Sequence, residues 1–258
     1  MKRLRPIRRG LSPKGDEIYS PYESAKSDLI DRFSSGWSNQ GHLTSYCSYC
    51  ERPIGTGLAV EHIQPKGGKF GHPELKEKWS NFLLACGNCN STKGAKRIIF
   101  HYLFLPDRDN TFYAFKYRAD GTIEPRSSLS LRNRIRAFCT LQLLGLDKAT
   151  RETFSTEGNL INLDRRSQRI EIWGVAEEAL SDYRDNINNQ VVKKLIIQNM
   201  LARGFFSIWM TVFEDYSEMK NLFIDSIHGT RESGCFDDNG NILTPHPNED
   251  KLEGGGKI

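Results

Sequence analysis

Apolar positions follow two different rhythms along this chain, and the change falls near residue 127. Before it, apolar runs are short and bounded by glycine or proline; after it, they recur at helical spacing. In the first half, Ser20-Pro21 opens a predicted helix over 20–38, with Ala25, Leu29, Ile30 and Phe33 on one face. The turn Gly55-Thr56-Gly57 then leads into a strand over 58–64 that Pro65 ends. That turn lacks the third glycine and following helix of a dinucleotide fingerprint, so it reads as a hairpin turn. A Gly- and Lys-rich loop fills 66–78, a second short apolar strand covers 81–85, and a helix starts near Cys89-Asn90 and runs through Lys96. Residues 98–106 (IIFHYLFLP) read as a buried segment, with His101 as a core histidine. Alternation over 111–117, a turn at Asp120-Gly121 and a return over 122–124 predict a β-hairpin.

The second half predicts helices. Leu131, Ile135, Phe138, Leu141 and Leu144 share one face, and Gly145 stops that helix. A second helix spans 163–184, a third spans 190–216 with an interruption at Gly204, and a short fourth covers 217–228. The third is apolar nearly all round, so Phe205, Phe206, Trp209 and Phe213 read as core. The tail from Thr230 is polar and rich in glycine and proline, which predicts disorder. The chain thus divides into a basic arm with a first helix (1–40), a core with the hairpin (41–126), a helical region (127–229) and a flexible tail (230–258). No internal repeat is present.

Composition changes this picture little. At 258 residues, with 38% hydrophobic and 26% charged positions, the chain is an ordinary globular protein of one or two domains. A formal charge of +4 is too mild to establish nucleic-acid binding. No apolar run approaches the ~18 residues of a transmembrane helix, and the basic start lacks a signal's apolar core, so a cytoplasmic, bacterial location is expected. Lys2, Arg3, Arg5, Arg8, Arg9 and Lys14 precede the first acid, Asp16, and read either as an arm against phosphates or as a solvated terminus. Six cysteines in an unexported chain argue for reduced thiols and for metal. Cys139 lies in an apolar helical pattern as a small core residue, and Cys235 has no assignable role.

Candidate chemistry concentrates between residues 46 and 96. Cys47/Cys50 and Cys86/Cys89 form two Cys-x-x-Cys pairs, a donor set for a closed tetrahedral structural Zn²⁺ at roughly 2.3 Å. The intervening residues, 51–85, exceed the ~15–20 of a simple zinc ribbon. They carry Glu61-His62 and Asn81, while Asn90 and Lys93 follow the last cysteine. His62 is the candidate general base, since imidazole titrates near neutrality. Glu61 and Asn90 are the candidate ligands of a catalytic divalent cation, and oxygen donors with a phosphate substrate favour Mg²⁺ or Mn²⁺. Strand alternation would separate Glu61 from His62 unless the strand ends there, which Pro65 allows.

The series E-H-x-x-P-K, W-x-N and C-x-x-C-N-x-x-K resembles the HNH nuclease family, with asparagine as the third letter. The resemblance covers about fifty residues and implies an α+β fold: a zinc-stapled ββα-metal core followed by a mainly α-helical C-terminal region. By that resemblance Asn81 ties loop to strand and fixes the His62 backbone. Lys93, one helical turn beyond Asn90, reaches toward the phosphate or the metal's surroundings, and Lys66 approaches from the loop. His72 is an alternative metal ligand or a solvated loop histidine. More widely, the basic start, the hairpin FYAFKYRADGTIEP and the helical half with LINLDRRSQRI are similar to the HNH subunit (PtuB) of Septu-type anti-phage defence systems, which include retron-associated relatives. That likeness implies an ABC/SMC-like, PtuA-like ATPase partner; the chain has no phosphate-binding loop of its own. The substrate it implies is DNA, with RNA such as tRNA as an alternative, and a zinc-stabilised binding module without catalysis as another. The helical half is expected to dock the ATPase, or else simply to enlarge the core. Arg132, Arg134, Arg136, Arg165, Arg166 and Arg169 would sit at the rim of such a contact or along a nucleic-acid path.

Overall fold

A computed structural model describes residues 9–37, 42–148, 165–227 and 229–258. It is an α+β protein with short antiparallel strand pairs in its first half and helices in its second. A 3₁₀ turn, Tyr22–Ala25, leads into α1 (Lys26–Phe33), which is shorter than the expected helix. The chain turns instead into β1 (Ser34–Trp37), antiparallel to β2 (His42–Ser45). Ser34, Ser35 and Gly36 are weak helix formers, so strand pairing prevails there. The central pair is β3 (Ala59–His62) against β4 (Phe82–Ala85), in register from Ala59↔Ala85 to His62↔Phe82. β4 is buried at every position and is covered by α1. α2 (Gly87–Lys93) follows directly, with the Cys86 Sγ accepting the Cys89 amide at its N-terminus.

Beyond the core, the expected strand over 111–117 begins as one helical turn, α3 (Thr111–Ala114). Only then does the hairpin β5 (Phe115–Tyr117) and β6 (Ile123–Pro125) form. Four longer helices and one short one complete the described fold: α4 (Leu131–Leu144), α5 (Arg165–Asp185), α6 (Gln190–Arg203), α7 (Phe206–Val212) and α8 (Ser217–Ser226). The break at Gly204 falls where it was expected. Its φ is +70°, and a Cβ there would lie 2.6 Å from the Glu51 carbonyl oxygen, so only glycine lets the corner approach the turn that follows Cys50. Among the described residues no helix is long and apolar enough to cross a membrane.

Three expectations need correction. The first concerns α4, where Leu131, Ile135 and Phe138 are 68%, 52% and 53% exposed, while Ala137, Thr140, Leu141 and Leu144 are buried. Polar anchoring explains the rotation: Thr140 Oγ1 accepts the Phe104 amide at 2.8 Å, and Arg136 Nε donates to the His101 carbonyl at 2.9 Å. Those backbone groups would otherwise be unsatisfied, so the face carrying Arg136 and Thr140 turns inward. His101 itself is exposed beside Arg132 rather than in the core.

The second concerns the tail, which folds back instead of remaining flexible. The Asn110 amide donates to the Ile258 carbonyl, Lys257 pairs with the buried Asp109, and Arg108 donates to the Glu253 carbonyl. Cys235 and Ile258 are buried. Its low hydrophobicity misled because the tail is held by the polar groups of 107–110 rather than by an apolar face of its own. The third concerns the arginines. Arg9 is buried and paired to Asp107, so it is no part of a phosphate-binding arm, while positions 1–8 lie outside the described residues. Arg136 and Arg169 are also buried, satisfying backbone carbonyls. The 160–164 part of LINLDRRSQRI likewise lies outside the described residues.

Candidate active site

Two sites share the β3–β4–α2 unit. At one end Cys47 and Cys50, on the turn after β2, face Cys86 and Cys89 at the N-terminus of α2. All four thiols are buried, and their Sγ atoms lie within 4.8 Å of one another. A tetrahedral Zn²⁺ with Zn–S of ~2.3 Å requires sulfur separations of ~3.8 Å; Cys50 and Cys86 are 3.9 Å apart. The donor set fits a closed structural ion. Contacts among the four thiols lower the Cys86 pKa and raise those of Cys50 and Cys89, so the group shares its protons as one cluster. Arg165, on α5, donates to Cys89 Sγ at 3.2 Å and to the Leu144 and Gly145 carbonyls. It offsets the negative charge of a four-thiolate site and ties α5 to it, a role that spacing could not reveal. Glu51, just after the knuckle, accepts from the Ser207 amide at 2.8 Å and the Ser207 hydroxyl at 2.6 Å.

At the other end an open cleft of about 520 Å³ is lined by His62 and Glu61 of β3, by Asn90 and Lys93 of α2, and by Tyr22 and Lys66. The strand ends at His62, so Glu61 and His62 both reach this cleft. His62 Nε2 lies 2.8 Å from the Lys76 carbonyl. A carbonyl only accepts, so Nε2 carries the hydrogen and Nδ1 keeps the lone pair. The rings of Tyr22 and Phe82 meet the imidazole edge-on at 4.7 and 5.2 Å and fix its plane. Burial lowers its pKa and so favours the neutral ring, although the Lys76 contact opposes the shift.

Asn81 supports this end. Its Oδ1 accepts the Gln64 amide at 2.7 Å, and its Nδ2 donates to the Gln64 and Leu75 carbonyls. The side chain thus binds the backbone two residues beyond His62 to the loop that carries Lys76. Lys66 Nζ sits 3.9 Å above the Tyr22 ring. His72 is exposed and pairs with Glu74, and it is not among the residues lining the cleft.

Glu61 and Lys93 form a buried ion pair at 2.8 Å, and Tyr49 donates to the same carboxylate oxygen, Oε1, at 3.3 Å. Burial raises the Glu61 pKa, while Lys93 opposes that rise. The sequence placed Lys93 near Asn90 but gave no sign that Glu61 would be its partner, because that contact crosses from strand to helix. Tyr22 and Tyr49 were likewise not identified. Glu61 and Asn90 both line the cleft, and both described partners of Glu61 contact Oε1, so the donor type fits a hard divalent cation.

The β3–β4–α2 unit thus carries a four-cysteine corner at one end and, at the other, a cleft lined by His62 and Asn90, with Asn81 bracing the loop beside it. Residues 47–96 match the HNH endonuclease family, and the chain belongs to that family. Among its relatives is a protein of Vibrio cholerae serotype O1 biovar El Tor named "Retron Vc95 putative HNH endonuclease". The two are 31% identical over 176 residues, 67% of this chain and 78% of the relative.

Proposed function

We propose that this nuclease hydrolyses DNA phosphodiester bonds with Mg²⁺ or Mn²⁺, as the effector of an anti-phage defence complex that includes an ABC/SMC-like ATPase. The observation that carries the catalytic reading is the fixed imidazole of His62, neutral, donating through Nε2 to Lys76 and opening on the cleft shared with Glu61 and Asn90. Nδ1 accepts a proton from the attacking water. A divalent cation held by Glu61 and Asn90 would supply charge neutralisation at a non-bridging phosphate oxygen and at the leaving oxygen. Lys93 balances the Glu61 carboxylate, and Lys66 at the rim attracts the phosphate. Asn81 holds the loop that orients His62. The retron in the relative's name supports the defence role. Exposed Leu131, Ile135 and Phe138 on α4, beside Arg132 and Arg134, support a protein partner for the helical region.

Purified protein incubated with duplex DNA, single-stranded DNA or tRNA, in Mg²⁺, Mn²⁺ or EDTA, tests the reading. Cleavage of DNA that EDTA abolishes is expected. Cleavage confined to tRNA would move the substrate to RNA. No cleavage of any substrate, alone or with a co-expressed ATPase subunit, would contradict the enzymatic reading.

A further inference from the structure

The molecule has a second, larger cleft, of about 720 Å³, that shares no lining residue with the nuclease cleft. It lies among β5, α5, α7 and the tail turn at Gly240, Asn241 and Ile242. Its walls carry Lys116, Arg118, Arg126, Arg184 and Lys220 against the carboxylates of Glu177 and Glu214 alone. Most of this positive charge is held in place by neutral groups. Arg126 donates to the Phe112, Tyr113 and Phe115 carbonyls at 3.2–3.3 Å. Arg184 donates to the Tyr216 hydroxyl at 2.8 Å, and Lys220, itself buried, to Asn241 Oδ1 at 3.4 Å. Arg118 pairs with Glu124, and Lys220 lies near enough to Asp237 to lower the pKa of that carboxylate. Carbonyls and hydroxyls orient a cation without neutralising it, so the cleft retains an excess of oriented positive charge.

Two aromatic walls accompany the charge. Trp173 is fixed by its Nε1 donating to Glu177 at 2.8 Å, and Phe112 lies under the Arg126 guanidinium. Both are only partly buried, and both line the cleft. Oriented guanidinium and ammonium groups suit phosphate oxygens, and flat apolar rings suit a base. The volume is within the range of ~300–1,000 Å³ typical of small-ligand sites. A concavity of this size admits one nucleotide and not a duplex.

We propose that this cleft is a second ligand site that binds a nucleotide, with its phosphates on Lys116, Arg126 and Arg184 and its base against Trp173 and Phe112. It stands apart from the nuclease centre, which places a nucleotide-sensing function on the helical side of the molecule. The same chemistry could be offered by a free nucleoside triphosphate or by the exposed end of a single strand.

Titration calorimetry on the full chain carrying His62→Ala, which removes cleavage from the measurement, distinguishes these. The probes are ATP, GTP, inorganic pyrophosphate and a short oligothymidylate, each with and without Mg²⁺. ATP or GTP is expected to bind, with pyrophosphate weaker because it lacks a base. Adding Lys116→Gln and Arg184→Gln, both at exposed positions, should weaken binding at least tenfold while leaving the melting temperature and zinc content unchanged. Adding Asn90→Ala instead should leave nucleotide binding unchanged, because that residue lines the other cleft. Preference for the oligothymidylate, lost in the same double variant, would keep the site and identify a strand end as its ligand. No binding of any probe at millimolar concentration, or binding indifferent to the double variant, would overturn the proposal.

Discussion

The two ends of the β3–β4–α2 unit carry metal-binding groups of opposite design. At the cysteine end every donor is buried, Arg165 reaches Cys89 from α5, and Glu51 grips Ser207 at the start of α7. At the histidine end the donors open on a cleft, and one buried ion pair, Glu61 with Lys93, stands on its wall. Both ends share α2, whose first turn holds Cys86 and Cys89 and whose next holds Asn90 and Lys93. The four-cysteine corner can therefore be closed while the corner that carries His62, Asn90 and Lys93, within four residues of Cys89, stays open. Arg165 and Ser207 of the helical half brace the first of these corners, and among the described residues none of that half lines the second.

The largest effect should come from breaking the closed end. Cys86→Ser removes one of four thiolates and with it metal affinity and folding energy, of order 10 kcal/mol for structural zinc sites. Elemental analysis should give about one zinc per wild-type chain and none for the variant, whose cooperative melting should be lost. A variant that melts normally without metal would remove zinc from the account.

Breaking the ion pair at the open end should cost less, and should show a different signature. Lys93→Met leaves the buried Glu61 carboxylate without its cation, a loss of about 3–5 kcal/mol. Millimolar Mg²⁺ should raise the melting temperature of this variant more than that of wild type, since the ion would then be the counter-charge of Glu61. Equal Mg²⁺ responses would argue against Glu61 as a metal ligand.

Behind the same end, Arg9 donates to the carbonyl of Phe82, the strand partner of His62, and pairs with Asp107, which Arg108 also grips. Burial alone would raise the Asp107 pKa, but Arg108 and Arg9 outweigh it and hold the group down at about 2. A depressed carboxylate stabilises the fold above its unfolded pKa of ~3.9 and loses that contribution as pH falls toward 2. The contribution is about 2 kcal/mol, so the stability gap between wild type and Asp107→Asn in urea should narrow from pH 5 to pH 3. A gap constant over that window would show that the pair contributes little.

The smallest effect concerns the brace. Glu51→Gln weakens the charge-assisted bonds to Ser207 and should cost about 1–2 kcal/mol, with zinc content and cleavage retained. Loss of zinc in this variant would mean that the helical half is needed to form the corner itself.

The local placement of the candidate residues was legible in the sequence because it is written at short range. Two Cys-x-x-Cys pairs, Glu61-His62 before Pro65, and Asn90 and Lys93 one turn apart each constrain their own element, and Gly204 marked the helix break. What stayed hidden depends on contacts between distant segments. The Glu61–Lys93 pair joins strand to helix, and Arg165 reaches a cysteine 76 positions away. The inward face of α4 follows Thr140 and Arg136, which satisfy the 101–104 backbone, so the apolar stripe of Leu131, Ile135 and Phe138 misdirected the assignment. The tail reads as disordered because its partners, Asp109 and Asn110, are more than a hundred residues away.

The central claim is that the open cleft is a hydrolytic centre with His62 as its base. Its most direct test is the rate of DNA cleavage in Mg²⁺ by wild type and His62→Ala, with zinc content and melting temperature measured on the same samples. We expect a loss of ~10²–10⁴-fold in rate with both other quantities unchanged, as for removal of a general base from a cleft wall. A variant that keeps its zinc, its fold and most of its cleavage would contradict the account.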